Sequence, residues 1–87
     1  MSSDLTTATI CNIVTEALKT ASKSDALSSE VTAASVMGDP IEWDSLAFVV
    51  VFISIGEAYG VELEDDDAFH FQSIAGIESF LNEVLVA

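Results

Sequence analysis

The chain has 87 residues, of which 51% are hydrophobic and 20% are charged, and its formal net charge is −13. This length predicts a single domain, residues 1–87, near the lower limit for a chain that builds its own hydrophobic core. The composition excludes a disordered chain, and no segment approaches the roughly 20 apolar residues that span a bilayer.

The charge of the chain restricts its partners. The only basic side chains are Lys19 and Lys23. Such a surface repels phosphates and anionic lipid, so we expect neither nucleic-acid nor membrane binding. It favours proteins with basic patches, although acidic balance also keeps a small apolar protein in solution. Residues 1–4 lack the features of a signal peptide and Cys11 is the only cysteine, which together predict a cytoplasmic protein.

A first amphipathic helix is predicted after Asp4, whose side chain can cap it. Its apolar positions have the spacing of one buried stripe. They are Ile10, Ile13, Val14, Ala17 and Leu18. From about Thr20 to Asp44 this periodicity disappears, which predicts a long loop. Five apolar residues are its candidate anchors on the core: Leu27, Val31, Val36, Met37 and Ile41.

The longest apolar run begins at Leu46 and includes Val49–Ile53, a stretch that also fits a buried strand. A helix is favoured because Asp44 or Ser45 can cap its start and Gly60 can end it in the left-handed conformation. Burying one Phe or Ile returns about 1.5–3 kcal/mol, which outweighs the ~0.7 kcal/mol that a β-branched residue costs in a helix.

After this helix, the acidic run Glu64–Asp67 favours the start of a short helix that continues to His70. Ser73 can cap a last helix. The apolar stripe of that helix consists of Ile74, Ile77, Phe80, Leu81, Val84 and Leu85. The predicted fold is all-α, a small four-helix bundle with a long loop between the first two helices and a short third helix.

The sequence predicts neither a catalytic nor a metal site. Glu64–Asp67 lacks the alternating ligands and glycine of a calcium loop, and Cys11 and His70 have no companions at zinc-ligand spacing. A nucleophilic Ser45 would need His70 as its base, and it lacks the flanking glycines of a nucleophile elbow. We therefore expect no enzymatic activity. Ser45 is then either part of the helix cap or a modification site.

Three segments in a fixed order carry a family resemblance. Asp44-Ser45-Leu46 precedes the predicted central helix, which is followed by Gly60–Leu63 and then by the acidic Asp65–Ala68. In this order, in an acidic chain of this length, the segments resemble an acyl carrier protein over nearly the whole chain. Trp43 directly before the motif resembles discrete, stand-alone carriers more than the fatty-acid-synthase type.

The resemblance implies a cofactor. In such carriers the serine after the aspartate, here Ser45, holds 4′-phosphopantetheine from coenzyme A, and Asp44 and Leu46 are its motif neighbours. A phosphopantetheinyl transferase would attach this arm, and its thiol would hold an acyl or aminoacyl group as a thioester. Loading ligases and downstream transferases or synthases of fatty-acid or secondary-metabolite biosynthesis would be further partners. A helix N-terminus suits a phosphodiester, and we expect Leu46 to turn inward.

The second helix departs from the family pattern. Acidic residues are usual at positions where this chain has Val50, Ile53 and Gly56, and Glu57 is the main acid left. Some of the apolar side chains of this helix should be exposed. We therefore expect docking near Ser45 to be more apolar than usual, with the acids from Glu62 to Asp67 steering basic partners. Self-association through the same surface is the alternative.

Two further alternatives stay open. Phe69 and Phe71 either shelter a short acyl cargo or, as we favour, pack in the core. The chain as a whole is either a carrier or a small acidic helical interaction module without a prosthetic group.

Overall fold

The structure, a computed structural model, describes residues 6–86 and contains within them three α-helices, one 3₁₀ helix and no β-strand. The elements are α1 (Thr7–Ser22), α2 (Ser45–Tyr59), the 3₁₀ helix (Asp65–Gln72) and α3 (Ile74–Val86). The predicted all-α bundle is confirmed, including its long loop and its short third helix. No helix in the described part of the chain is long and apolar enough to cross a membrane.

Helix α1 begins after Thr6, whose hydroxyl accepts a hydrogen bond from the Thr9 N–H at 3.1 Å. Asp4, the predicted cap, lies outside the described residues. The helix ends at Lys23, which has a left-handed φ of 56°. Four members of the predicted stripe are buried and the fifth is partly buried: Ile10, Val14, Ala17, Leu18 and Ile13. This stripe is confirmed, and it packs against α2.

Helix α2 has the start and the end that its sequence predicts. Asp44 is its N-cap, and Gly60 ends it with a φ of 63°. The buried face consists of Ala47, Val51 and Ile55, which are four residues apart and therefore lie on one side of the helix. This side faces α1 and the 3₁₀ helix. The helical interpretation of the apolar run is confirmed.

Two of the predicted loop anchors are wrong, because Val36 is 45% exposed and Ile41 is 73% exposed. The other three are buried or partly buried: Val31, Leu27 and Met37. The largest side chain that this segment places in the core is Trp43, which is fully buried together with Pro40. The end of the loop, directly before α2, therefore contributes the largest buried side chain of this segment.

Backbone hydrogen bonds hold the loop where its side chains do not. Val36 and Asp39 exchange two N–H to carbonyl bonds of 3.2 and 2.9 Å, and the Ile74 N–H donates to the Ser35 carbonyl at 3.1 Å. These bonds explain why Val36 does not need burial to stay in place. They also join the loop to the start of α3.

A close backbone approach sets the junction between the 3₁₀ helix and α3. Ser73 caps α3, as predicted, by accepting a hydrogen bond from the Gly76 N–H at 3.0 Å. A Cβ at position 76 would lie 2.6 Å from the His70 carbonyl oxygen, closer than real Cβ atoms approach. Glycine is therefore needed here to let the two helices meet.

The predicted stripe of α3 is confirmed only in its first half. Ile74, Ile77, Phe80 and Leu81 are buried. Val84 and Leu85 were expected to be buried, and this is wrong: they are 48% and 43% exposed. The 3₁₀ helix and α1, which pack on α3, thus cover its first turns and leave the last one open.

The two phenylalanines of the 3₁₀ helix have different surroundings. Phe71 is fully buried, with its ring centroid 4.9 Å from that of Phe52 and 5.5 Å from that of Phe80. Phe69 is 66% exposed, and its ring lies beside that of His70 with the centroids 4.0 Å apart and the ring planes tilted by 33°. Core packing is confirmed for Phe71 and is wrong for Phe69.

Candidate functional site

Ser45 is the first residue of α2, and its side chain is exposed. The sequence left open whether Asp44 or Ser45 caps the helix. The structure assigns the cap to Asp44, whose Oδ1 accepts a hydrogen bond from the Ala47 N–H at 2.9 Å. The Ser45 hydroxyl makes no hydrogen bond to any residue of the described chain. Capping therefore does not occupy this hydroxyl.

Leu46 does not turn inward, and this prediction is wrong. Its side chain is 65% exposed, whereas Ala47 is fully buried. The physical reason is the 3.6-residue period of the helix, because the buried positions 47, 51 and 55 place position 46 about 100° away from them. Ser45 and Leu46 consequently lie together on the solvent side of the first turn.

The first turn of α2 presents unpaired backbone donors. The Ala47 N–H bonds to the Asp44 side chain, and the Phe48 N–H bonds to the Asp44 carbonyl at 2.8 Å. No residue between 6 and 86 accepts from the N–H groups of Ser45 and Leu46. These donors and the positive end of the helix dipole both favour an anionic group on the Ser45 oxygen. The neighbouring Asp44 carboxylate opposes this effect by repelling such a group.

A polar contact fixes the loop just before this turn. The Glu42 carboxylate accepts from the Ser28 N–H at 3.1 Å and from the Ser28 hydroxyl at 2.9 Å. The backbone N–H of Ser28 holds the pKa of the Glu42 carboxyl below its ordinary value. Together with the buried ring of Trp43, this contact anchors the chain on the side from which it enters α2. The sequence analysis predicted neither the contact between Glu42 and Ser28 nor the burial of Trp43. A glutamate or a tryptophan does not by its residue type indicate which distant part of the chain it contacts.

One face of α2 carries exposed apolar side chains. Leu46, Val49 and Ile53 are 65%, 49% and 54% exposed, and we call these three residues the α2 stripe. Their spacing of three and four residues places them on one side of the helix. The expectation that part of this helix is exposed and apolar is confirmed.

Other candidate residues lie elsewhere. The His70 ring stacks on Phe80 at a centroid distance of 5.0 Å, and no hydrogen bond joins it to Ser45 in the described part of the chain. Cys11 is partly buried, and burial raises the pKa of its thiol. Between residues 6 and 86 no three His, Cys, Asp or Glu side chains are grouped so that they could hold a metal ion.

Comparison with known proteins gives no relative. No protein-family model, no curated protein and no solved structure matches this chain. The arrangement around Ser45 must therefore support any functional conclusion by itself.

Proposed function

We propose that this chain is a carrier protein that holds an acyl or aminoacyl group as a thioester on a 4′-phosphopantetheine arm attached to Ser45. The proposal rests on the different hydrogen bonding of the two residues at the start of α2. Asp44 caps the helix and leaves the exposed Ser45 hydroxyl without a partner among residues 6–86. A serine kept for capping would have made the bond that Asp44 makes.

The residues at the site fit a phosphodiester. The oxygen of Ser45 is accessible, and the N–H groups of Ser45 and Leu46 lie at the positive end of the α2 dipole. When bound, the arm would supply a terminal thiol that forms the thioester. The exposed position lets one carrier present this thiol to several enzymes, at the raised effective concentration that tethering gives.

The attachment reaction needs a partner enzyme. The Ser45 oxygen forms a bond to the phosphorus that carries the pantetheine arm in coenzyme A, and the pyrophosphate P–O bond breaks with departure of the nucleotide bisphosphate. The hydroxyl proton has to pass to a base of a phosphopantetheinyl transferase.

Further partners follow from the same proposal. Loading ligases and downstream transferases or synthases would meet the protein in the cytoplasm, through surfaces with basic and apolar groups that complement its charge of −13. The alternative function, an acidic interaction module without a prosthetic group, is favoured by the exposed α2 stripe alone.

Intact-mass spectrometry separates the two functions. The chain is incubated with coenzyme A, a divalent metal and a phosphopantetheinyl transferase of broad substrate range. We expect a mass gain of one arm that is absent from Ser45→Ala and retained in Ser79→Ala, a matched control at an exposed serine of α3. A wild-type chain that gains no mass with any transferase would refute the carrier function and leave the interaction module.

A further inference from the structure

We propose that Glu42 and Ser28 are positioning residues for arm attachment, and that their contact fixes the chain before α2 so that the Ser45 hydroxyl is presented in a reactive orientation. This inference rests on the proposed carrier function. It assigns a role in the attachment reaction to a serine that lies in the long loop, far from Ser45 along the chain.

The contact uses both oxygens of one carboxylate. The Ser28 N–H donates to each of the two Glu42 oxygens at 3.1 Å, and the Ser28 hydroxyl donates to Oε1 at 2.9 Å. Hydrogen bonds to an ionised acceptor are stronger than those between neutral groups. The bond from the Ser28 N–H also holds the pKa of the Glu42 carboxyl below its ordinary value, which keeps this acceptor ionised at neutral pH.

A second contact joins the same two segments of the loop. The Ser29 hydroxyl donates to Asp39 Oδ1 at 3.3 Å. Residues 28–29 therefore lie beside residues 39–42, with two consecutive serines facing two carboxylates. Two contacts between the same segments oppose both a shift and a rotation of one segment against the other.

Residues 38–43 form a turn that is closed by its own backbone. The Gly38 N–H donates to the Trp43 carbonyl at 3.0 Å, and the Trp43 N–H donates to the Pro40 carbonyl at 3.0 Å. The ring of Trp43 is fully buried. A contact made by Glu42 therefore restrains the whole turn, because the turn is fixed both internally and to the core.

Hydrogen bonds continue from this turn to the attachment residue. The Asp44 N–H donates to the Glu42 carbonyl at 3.0 Å, and the Asp44 side chain accepts from the Ala47 N–H. Ser45 lies between these two bonds, and its hydroxyl has no partner of its own between residues 6 and 86. The backbone therefore sets the orientation of this hydroxyl. Because a small misplacement of a reacting group lowers the rate of a reaction strongly, loss of the contact at Glu42 should slow arm attachment.

Kinetics of arm attachment test the inference. Initial rates are measured by intact mass with coenzyme A, a divalent metal and a transferase of broad substrate range, at increasing concentrations of the chain and at low and high salt. The variants are Ser28→Ala, Glu42→Ala and the double variant. Glu83→Ala is the matched control, since it removes an exposed glutamate of α3 and changes the charge equally. The temperature is one at which circular dichroism shows every variant to be fully folded.

We expect Ser28→Ala to lower kcat about threefold and Glu42→Ala to lower it about tenfold, with KM unchanged for both. The double variant should react no more slowly than Glu42→Ala, because the Ser28 hydroxyl has no acceptor to lose once Glu42 is replaced. Glu83→Ala should keep the wild-type kcat.

Three results would overturn the inference alone, provided that the wild-type chain gains the arm. They are wild-type kcat values for both single variants, losses that add in the double variant, and a loss confined to KM that disappears at high salt. The last result would show that Glu42 meets the transferase directly. A wild-type chain that gains no arm would overturn the carrier function and this inference with it.

Discussion

Replacing Asp44 with alanine removes the cap of α2 and tests how the first turn divides its tasks. The lost bond is the 2.9 Å contact from the Ala47 N–H to Oδ1, which has good hydrogen-bond length. Loss of an N-cap costs about 0.5–2 kcal/mol of the free energy of unfolding. In a domain of this size, 1 kcal/mol lowers Tm by about 4–8 °C. We expect Asp44→Ala to lower the free energy of unfolding by about 0.5–2 kcal/mol and to lower Tm accordingly.

Two matched variants separate the cap from the neighbouring serine. Asp44→Asn keeps an oxygen that can accept the Ala47 N–H, so most of the stability should remain. Ser45→Ala removes a hydroxyl that has no described partner, and its effect should stay within about 0.5 kcal/mol. The measurement is thermal and urea unfolding of the unmodified protein, followed by circular dichroism at 222 nm, the usual wavelength for helix content. If Ser45→Ala destabilises the protein as much as Asp44→Ala does, Asp44 is not the residue that caps α2 alone.

Three other predictions concern the junction, the loop and the thiol. Gly76→Ala should lower the free energy of unfolding by about 1–3 kcal/mol, because its Cβ would lie 2.6 Å from the His70 carbonyl oxygen; a stability gain in urea unfolding would contradict this. Glu42 has a lowered pKa in the folded protein, so its bond to Ser28 stabilises at neutral pH and is lost as pH falls through that pKa. The Tm difference between wild type and Glu42→Gln should accordingly shrink in acid, and a constant difference would count against it. Partial burial and two nearby carboxylates raise the pKa of the Cys11 thiol. Alkylation of Cys11 in the unmodified protein should therefore be slower at pH 8 than alkylation of free cysteine, and it should accelerate above pH 9. Equal alkylation rates for Cys11 and free cysteine at pH 8 would argue against this environment.

Local chemistry made α2 predictable from the sequence. Asp44 and Gly60 are residue types whose preferred roles at helix ends need no tertiary information, and both have those roles. Burial of the apolar run then selected helix over strand. The same local information could not assign the faces of the helix, because nearly every position in it is apolar. Leu46 was placed on the wrong side for this reason.

The loop before α2 was the least predictable part of the chain. Its apolar residues do not recur at a regular spacing, so the sequence did not indicate which of them would reach the core. Val36 is held by backbone hydrogen bonds to Asp39, and such bonds cannot be predicted from the side chains of the two residues. The contact between Glu42 and Ser28 joins positions 14 residues apart and could not be recognised from either one. The candidate site was therefore predicted at Ser45 itself, and its supporting contacts were not.

Trp43 gives the protein a built-in optical reporter. It is the only tryptophan of the chain, its ring is fully buried, and it lies two residues before Ser45. Its indole N–H has no hydrogen-bond partner among the described residues. Indole emission responds to the polarity around the ring and to hydrogen bonding of this N–H. Fluorescence at position 43 can therefore follow, without any label, whether water or another polar group enters the core beneath the first turn of α2.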